Sequence, residues 1–422
     1  MHELIVIGAG AAGLWAAARA AELGHRVLLL EKTARAGTKV LASGGTRCNL
    51  TTTLGPDEAA RLFGRSGERF LRGAFRALPP LAVRERFHDL GVATVEAPLE
   101  KVFPASDRAR DVRDALVRWC ASTGVELRVD AAVRGIARDG GRWRIAVEGG
   151  DALECERLFC CPGGKSYPRS GTVGDGYRWL AELGLPLVEQ VPALVPLVSP
   201  APWVRELTGI ALQETRATLR GPDGRGLGER ARPVVFTHQG ISGPGAMDLS
   251  EPVAREEAAA RSEERAPRPH VLALDLVPAL DRETLREALL AAAGRPGAPL
   301  LSGHLASGLE LPRKLVERVL AQAGVDAAAR VNALDRKRRH ALVESLKSFA
   351  VPVNGTLGFE RAEVTAGGLA LGALDPRTLR VNGFEHLWVF GEVLDLQGPI
   401  GGLNFQSAFA TAELAARSAA SG

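Results

Sequence analysis

Gly8, Gly10 and Gly13 stand in G-x-G-x-x-G spacing, and Glu31 closes the apolar run Val27 to Leu30 that follows them. Residues of these types at this spacing bind a dinucleotide. Gly8 permits a tight turn. Gly10 lets backbone approach a pyrophosphate, and Gly13 lets a helix pack closely on a strand. Glu31 can accept hydrogen bonds from both ribose hydroxyls. Its charge would repel a 2′-phosphate, so the adenine half fits FAD or NAD rather than NADP.

The elements that must position these residues are legible around them. Leu4 to Ile7 is an apolar run that enters the turn, and an Ala-rich helical run leaves it. Together with Val27 to Leu30 they form a βαβ unit, whose helix N-terminus offers free N–H groups and a positive dipole end to a diphosphate. A Gly-rich turn follows, Ser43-Gly44-Gly45-Thr46-Arg47-Cys48-Asn49. Residues 57–90 and 108–124 read as helical, and strands are expected at Glu126–Val129, Val133–Arg138 and Trp143–Val147. The strand Arg157 to Cys161 empties into Gly163 and Gly164, ahead of a helix at Tyr177–Leu183. Near the other end, Leu387 to Asp395 is a strand carrying Gly391 and Glu392. Ile400 to Gln406 opens a terminal helix reaching about Ser418.

At 422 residues the chain is too long for one core, and two or three domains are expected. Apolar residues make up 46%, charged residues 24%, and mean hydropathy is +0.01, as in an ordinary soluble protein. No apolar run is long enough to span a membrane, so no membrane partner is expected. A strand that starts by residue 4 leaves no room for a signal peptide, and a cytoplasmic location follows as an expectation. The five cysteines form no C-x-x-C pair, which argues against a zinc site, and no metal is expected. Vicinal Cys160 and Cys161 read as small buried strand residues. Net charge is +4, but only seven of the 53 basic residues are lysine. That arginine bias weakens any step from basicity to nucleic acid while leaving an anionic partner open.

The order of elements implies an α/β chain with a discontinuous first domain, 1–191 and 351–422. Residues 192–250 form an inserted β part, a small barrel or sandwich. Residues 251–350 form a mainly helical insert, with 251–267 as a charged surface excursion. A free NAD dehydrogenase has no evident need for the late strand closing on Gly391 and Glu392. An FAD site does: the acid reaches toward the ribityl–pyrophosphate end. The helix begun by Gly401, Gly402, Leu403 and Asn404 aims its N-terminus at the flavin pyrimidine. No second G-x-G-x-x-G follows a strand. NAD(P)H, as the transient reductant, would therefore visit the flavin through the substrate cavity.

With these blocks assembled, the chain resembles the bacterial YhiN/BaiN-like flavoproteins, also known as aminoacetone-oxidase-family FAD enzymes. The resemblance runs nearly end to end. It rests on GAGAAG (8–13), SGGTRCNLT (43–51), PGGKSYPRSGTVGDGY (162–177) and FTHQGISGP (236–244). TAGG (365–368) and GEVLDLQGPIGGLNFQSAFATAELAA (391–416) complete it. Thr46 stands where the family usually has a third glycine, and Cys161-Pro162 where it has Ala-Thr. These departures mark a divergent subfamily. The resemblance implies a Rossmann-like, two-dinucleotide-binding-type FAD domain with an inserted β-barrel and helical subdomain. It also implies cofactor contacts from Ala11, Ala12, Lys32, Lys39, Val133, Gly163 and Gly164. Activities within the family are reduction of a uridine in large-subunit ribosomal RNA by NADH, reduction of steroid C=C bonds, and oxidation of aminoacetone.

Individual residues keep two readings each. Cys48 either protonates a carbon or packs under the flavin. Arg47 either binds the pyrophosphate or makes a structural salt bridge. Lys39 lies near the flavin or faces solvent. His238 is the best proton-transfer candidate by residue type, or else a structural histidine. Tyr167 and Arg169 are further candidates to face the substrate, and Asp175 orders a loop or caps a helix. Asp335-Arg-Lys-Arg-Arg-His340, with Arg313, Lys314 and Lys347, either grips RNA phosphates or is a solvated face. The function expected is an FAD oxidoreductase reducing a C=C bond, foremost a ribosomal uridine. The alternatives are an O₂-using oxidase of a small amine and a non-catalytic flavin-bound protein on RNA.

Overall fold

In the computed structural model, which describes residues 1–421, the chain forms two compact units. The first is Met1–Pro192 together with the residues from Phe359 onward; the second is Ala193–Gly358.

The first unit is built on a seven-stranded sheet. Its centre is parallel: β1 (His2–Ile7) lies between β2 (Val27–Leu30) and the strand Leu153–Cys160, with Ile5 opposite Leu28 and Leu158. Leu387–Val389 joins the far side of Leu153–Cys160 in parallel, with Leu387 opposite Leu158. Leu4, Ile5, Val6, Leu28 and Leu29 are wholly buried, as central parallel strands covered on both faces must be. Helix α1 (Ala11–Glu22) crosses from β1 to β2 and packs on the terminal helix Leu403–Ala420. Their contact is aromatic: the Trp15 ring lies 4.9 Å from Phe409 and 5.2 Å from Trp119. At its polar end, Trp15 Nε1 donates to Glu413 at 3.0 Å, and Arg19 and Arg417 pair with the same carboxylate. Segment 94–104, for which the pattern gave no reading, supplies two strands. They form a three-stranded sheet with Thr51–Thr52, beside the Gly-rich turn.

The second unit has its own core, running from Leu197 to Val353. Its strands make a five-stranded and a four-stranded sheet. Helices Arg282–Ala293, Leu301–Gly308, Arg313–Gln322 and Arg336–Lys347 contribute Leu289, Leu305, Leu315 and Leu342 to the same core.

One expected boundary moves, and one expected surface segment changes. The return to the first unit comes after Gly358, not at 351. Phe349–Val353 pairs with His270–Asp275, and Gly355–Thr356 pairs with Leu197–Val198, so both strands are held in the second unit. Residues 251–267 are a surface excursion only at their end, where 261–264 and 266–267 are exposed. Glu251–Ser262 is a helix that buries Val253, Ala254 and Ala260. Its Glu256 is clasped by Arg265 and Arg268, and bonds from Arg268 and Arg265 hold that carboxyl well below the usual range. Several of the charges that read as solvated are paired with one another. No helix among the described residues is long and apolar enough to cross a membrane.

Glu413 is 2% exposed. Burial raises its pKa, but hydrogen bonds from Trp15 and Arg417 and the charge of Arg19 outweigh that and leave it lowered. Its contribution to stability is therefore present above the unfolded carboxylate pKa and lost as pH falls through the lower folded value. Glu413→Ala, which strands two arginines and a buried indole N–H, is expected to cost about 3 kcal/mol in urea unfolding at pH 7. Glu413→Gln is expected to flatten the decline in stability below about pH 4.5.

Candidate cofactor and active site

The first turn is set by close backbone contact. Gly8 has φ +99°. A Cβ on Gly13 would lie 1.7 Å from the Gly8 carbonyl oxygen, so any side chain there pushes α1 off β1. Gly10 caps α1 with no side-chain bond, and a Cβ on it would meet nothing within 4 Å. The first amides of a helix have no partner within it, so those of Ala11 and Ala12 are available to an anion in the open room beside Gly10. A diphosphate fits that cradle.

Glu31 ends β2 beside the same turn. It accepts from the Ala9 amide at 3.0 Å, from the Thr33 amide at 2.9 Å and from Thr33 Oγ1 at 2.7 Å. An ionised carboxylate has about four acceptor positions. Three internal donors leave room for one ribose hydroxyl rather than the two expected. Backbone bonds from Asp130 and Ala131 to Thr33 and Glu31 bring the buried start of strand Val133–Asp139 alongside. Lys32 is committed elsewhere: its Nζ pairs with Asp175 Oδ2 at 2.6 Å, tying β2 to helix Asp175–Glu182.

The chain's late segment meets the early one here. A Cβ on Gly391 would sit 3.0 Å from Ala12 Cβ, at the start of α1. Lys39 Nζ reaches Glu392 Oε2 at 2.5 Å and Ser166 Oγ at 2.6 Å. Ser166 Oγ and the Thr365 amide both donate to Glu392 Oε1, at 2.5 and 3.0 Å. Thr365 Oγ1 accepts from the Lys165 and Ser166 amides. Gly164 fits against this cluster: a Cβ on it would lie 2.4 Å from Thr365 Oγ1, while one on Gly163 would meet Thr172. Ser166 and Thr365 were not singled out by spacing. Both lie inside blocks that carry the family resemblance, Ser166 in a loop and Thr365 in the strand Val364–Leu369, yet only the fold shows them bracing Glu392.

At the terminal helix, Gly402 has φ +82° and its Cα lies so close to Thr51 that a Cβ would be 2.0 Å from the Thr51 carbonyl oxygen. Gly401 precedes it, and Leu403 begins the helix with no side-chain cap. The Asn404 side chain exchanges two 2.9 Å bonds with Gly398, closing its own loop; only backbone amides are left to meet a cofactor there. In the Gly-rich turn, Gly44 packs on Asn49 and Gly45 borders open space. Arg47 takes its structural reading. Its Nε meets Asp107 at 2.5 Å and its guanidinium lies 4.2 Å from the Phe103 centroid.

The two proposed acids fare differently. Cys48 is wholly buried, and burial pushes its thiol up to about 12. That burial favours the packing reading. His238 is exposed in the turn Thr237–Gly240 of the second unit, with Nδ1 3.5 Å from Thr208 Oγ1. Of the basic insert, Lys347 leaves the phosphate set, since it is buried against Asp275 at 2.7 Å and two backbone carbonyls. Arg313 pairs with Glu317, and Arg338 stands 3.9 Å from Asp335, the helix cap. Lys314, Arg336 and Lys337 are exposed and make no ion pair among the described residues. No cluster of metal-ligating side chains occurs among the described residues.

Comparisons bear on the whole chain. The family described as HI0933-like protein Rossmann domain matches residues 2–418. The chain is 31% identical over 410 residues to the ribosomal RNA dihydrouridine synthase of Escherichia coli strain K12, covering 97% of this chain and 96% of that protein. It is 28% identical to the 3-dehydro-bile acid delta(4,6)-reductase of Clostridium scindens, covering 100% and 99%. Its fold is similar to that of 3-ketosteroid-delta4-(5alpha)-dehydrogenase from Rhodococcus jostii RHA1. There the TM-score is 0.52 at 17% identity, over 99% of this chain and 96% of that one.

Lys39→Met removes the cation that holds Glu392 without adding bulk. It is expected to lower flavin retained through purification, read as absorbance near 450 nm against 280 nm, by about tenfold, the loss of roughly one charge-assisted contact. Retention equal to that of the parent protein would show that the Lys39–Glu392 pair does not shape the cofactor site.

Proposed function

Because the chain belongs to the HI0933-like Rossmann family and is an FAD-dependent oxidoreductase, we propose that it is a nicotinamide-driven reductase of a conjugated C=C bond. The leading substrate is a uridine of large-subunit ribosomal RNA. One observation carries the reading: Gly391 lies against Ala12 at the uncapped start of α1, and the terminal helix, also without a side-chain cap, packs on α1 within the first unit.

In this reading Gly8, Gly10 and the amides of Ala11, Ala12 and Gly13 hold the diphosphate. Glu31 orients the adenosine ribose, with Val133 beside it. Glu392 orients the ribityl side, braced by Lys39, Ser166 and Thr365. The backbone at Gly401, Gly402 and Leu403 meets negative charge at the helix N-terminus, where the dipole favours it. FAD, when bound, supplies two-electron hydride exchange between NAD(P)H and the acceptor. Two relatives support the acceptor class by their names. Making dihydrouridine and reducing a delta(4,6) acid both saturate a C=C bond. The exposed cations Lys314, Arg336 and Lys337 support an RNA phosphate backbone as the partner surface. A cytoplasmic location goes with that partner.

Three measurements test this. Anaerobic mixing with NADH or NADPH is expected to bleach the flavin band near 450 nm; bleaching by aminoacetone alone would replace the reductase with an amine oxidase. The double change Arg336→Glu and Lys337→Glu is expected to weaken RNA binding uniformly across sequences. It should also flatten the salt dependence of log K by about one to two units of slope. An unchanged slope would remove this helix from the RNA surface. In large-subunit RNA from a strain lacking the gene, mass spectrometry is expected to show one dihydrouridine fewer.

A further inference from the structure

The loop Lys165-Ser166-Tyr167-Pro168-Arg169 carries an aromatic residue in an unfavourable backbone state. Tyr167 has φ +55° and ψ +63°, the left-handed region. A bulky side chain rarely adopts that conformation, and glycine or asparagine would hold the same turn with less strain. The backbone is nevertheless pinned on both sides. The Tyr167 amide donates to Phe359 O at 2.9 Å, and its carbonyl accepts from the Ser170 amide at 2.9 Å and from Ser170 Oγ at 2.8 Å. Backbone outliers that their surroundings hold in place cluster at active sites and ligand clamps.

The side chain itself is left free. Tyr167 is 37% exposed, and its hydroxyl makes no hydrogen bond among the described residues. Tyr177, the other of the chain's two tyrosines, is 4% exposed and points its hydroxyl at the Glu392 carbonyl. Tyr167 also directly follows Ser166, whose hydroxyl sits between Lys39 and Glu392. The neighbouring acids are spent. Lys39 is held by Glu392, Lys32 by Asp175 and Arg47 by Asp107; Cys48 is sealed in the core. Lys165 lies over the Tyr177 ring, its Nζ 5.6 Å from the centroid. Arg169, a guanidinium, stays charged and is a poor proton donor.

We propose that Tyr167 is the catalytic acid of the reduction, touching the substrate and protonating the carbon next to its carbonyl. This rests on the reading of the enzyme as a C=C reductase. Saturating the bond adds hydride, with its electron pair, at one carbon, and that hydride equivalent derives from the nicotinamide donor. The π pair then forms the second C–H bond with the proton of the Tyr167 O–H, which breaks. The tyrosinate recovers a proton from water. A phenol so placed is an ordinary general acid.

The test uses the full-length holoenzyme with two probes: large-subunit RNA from cells lacking the gene, and a 3-oxo-4-ene bile acid. Tyr167→Phe keeps the ring and removes the proton. It is expected to lower product formation on the probe that the parent reduces by about 10²-fold or more. Flavin content, thermal midpoint, anaerobic bleaching by nicotinamide and the Kd for the RNA should stay unchanged. His238→Gln, made in parallel, is expected to retain turnover. Full turnover by Tyr167→Phe, or loss confined to His238→Gln, overturns the assignment. Equal loss of RNA affinity and turnover would make Tyr167 a binding residue and also overturns it. If the parent bleaches with nicotinamide yet reduces neither probe, the proposed function fails, and the inference fails with it.

Discussion

The structure depends on how closely α1 approaches β1. With 1.7 Å between a Cβ on Gly13 and the Gly8 carbonyl, no other residue at position 13 leaves the helix where it is. That approach does two things at once. It aims unpartnered amides and a positive helix end at the space beside Gly10. It also sets α1 at the depth where Trp15 meets Phe409 and Glu413 of the terminal helix. The tight turn that leaves those amides open is therefore the same contact that lets the last helix of the chain complete the unit.

The two ends are joined by charge as well as by packing. Glu392 follows a short strand, and its carboxylate is held by one ammonium, one hydroxyl and one amide, from Lys39, Ser166 and Thr365. Each donor comes from a different part of the first unit, so misplacing any of them moves the acid. Glu413 repeats the device between α1 and the terminal helix, with Trp15, Arg19 and Arg417 as donors. In both places a carboxylate with little water is stabilised by several fixed donors. That arrangement orients a group more firmly than a surface ion pair would.

Much of the first unit was legible because its signals are local. Glycine spacing, an apolar run of four and an acid at its end need no tertiary information, and neither do the glycines before the terminal helix. What was hidden depended on partners distant in the chain. Ser166 and Thr365 stand in recognisable blocks, but nothing local ties either to Glu392. Cys48 looked reactive beside a Gly-rich turn, and only its burial favours packing. Lys347 looked like part of a basic run, yet Asp275 draws it inward. Residues 251–262 looked solvated because Glu256 finds its arginines beyond the end of its own helix. The boundary at 351 slipped to 358 because Phe349–Val353 has the composition of either unit, and only pairing with His270–Asp275 assigns it. The family resemblance identified the cofactor class well, whereas the relatives' names point to different acceptors.

The most direct test is a crystal structure of the protein with FAD. The expected density places the diphosphate on the amides that begin α1 and a ribose hydroxyl on Glu31. The ribityl chain should lie beside Glu392, and the isoalloxazine against the backbone of Gly401 to Leu403. A cofactor held by Gly8 to Glu31 alone, with its flavin ring away from the terminal helix, would contradict a single site built from both ends of the chain.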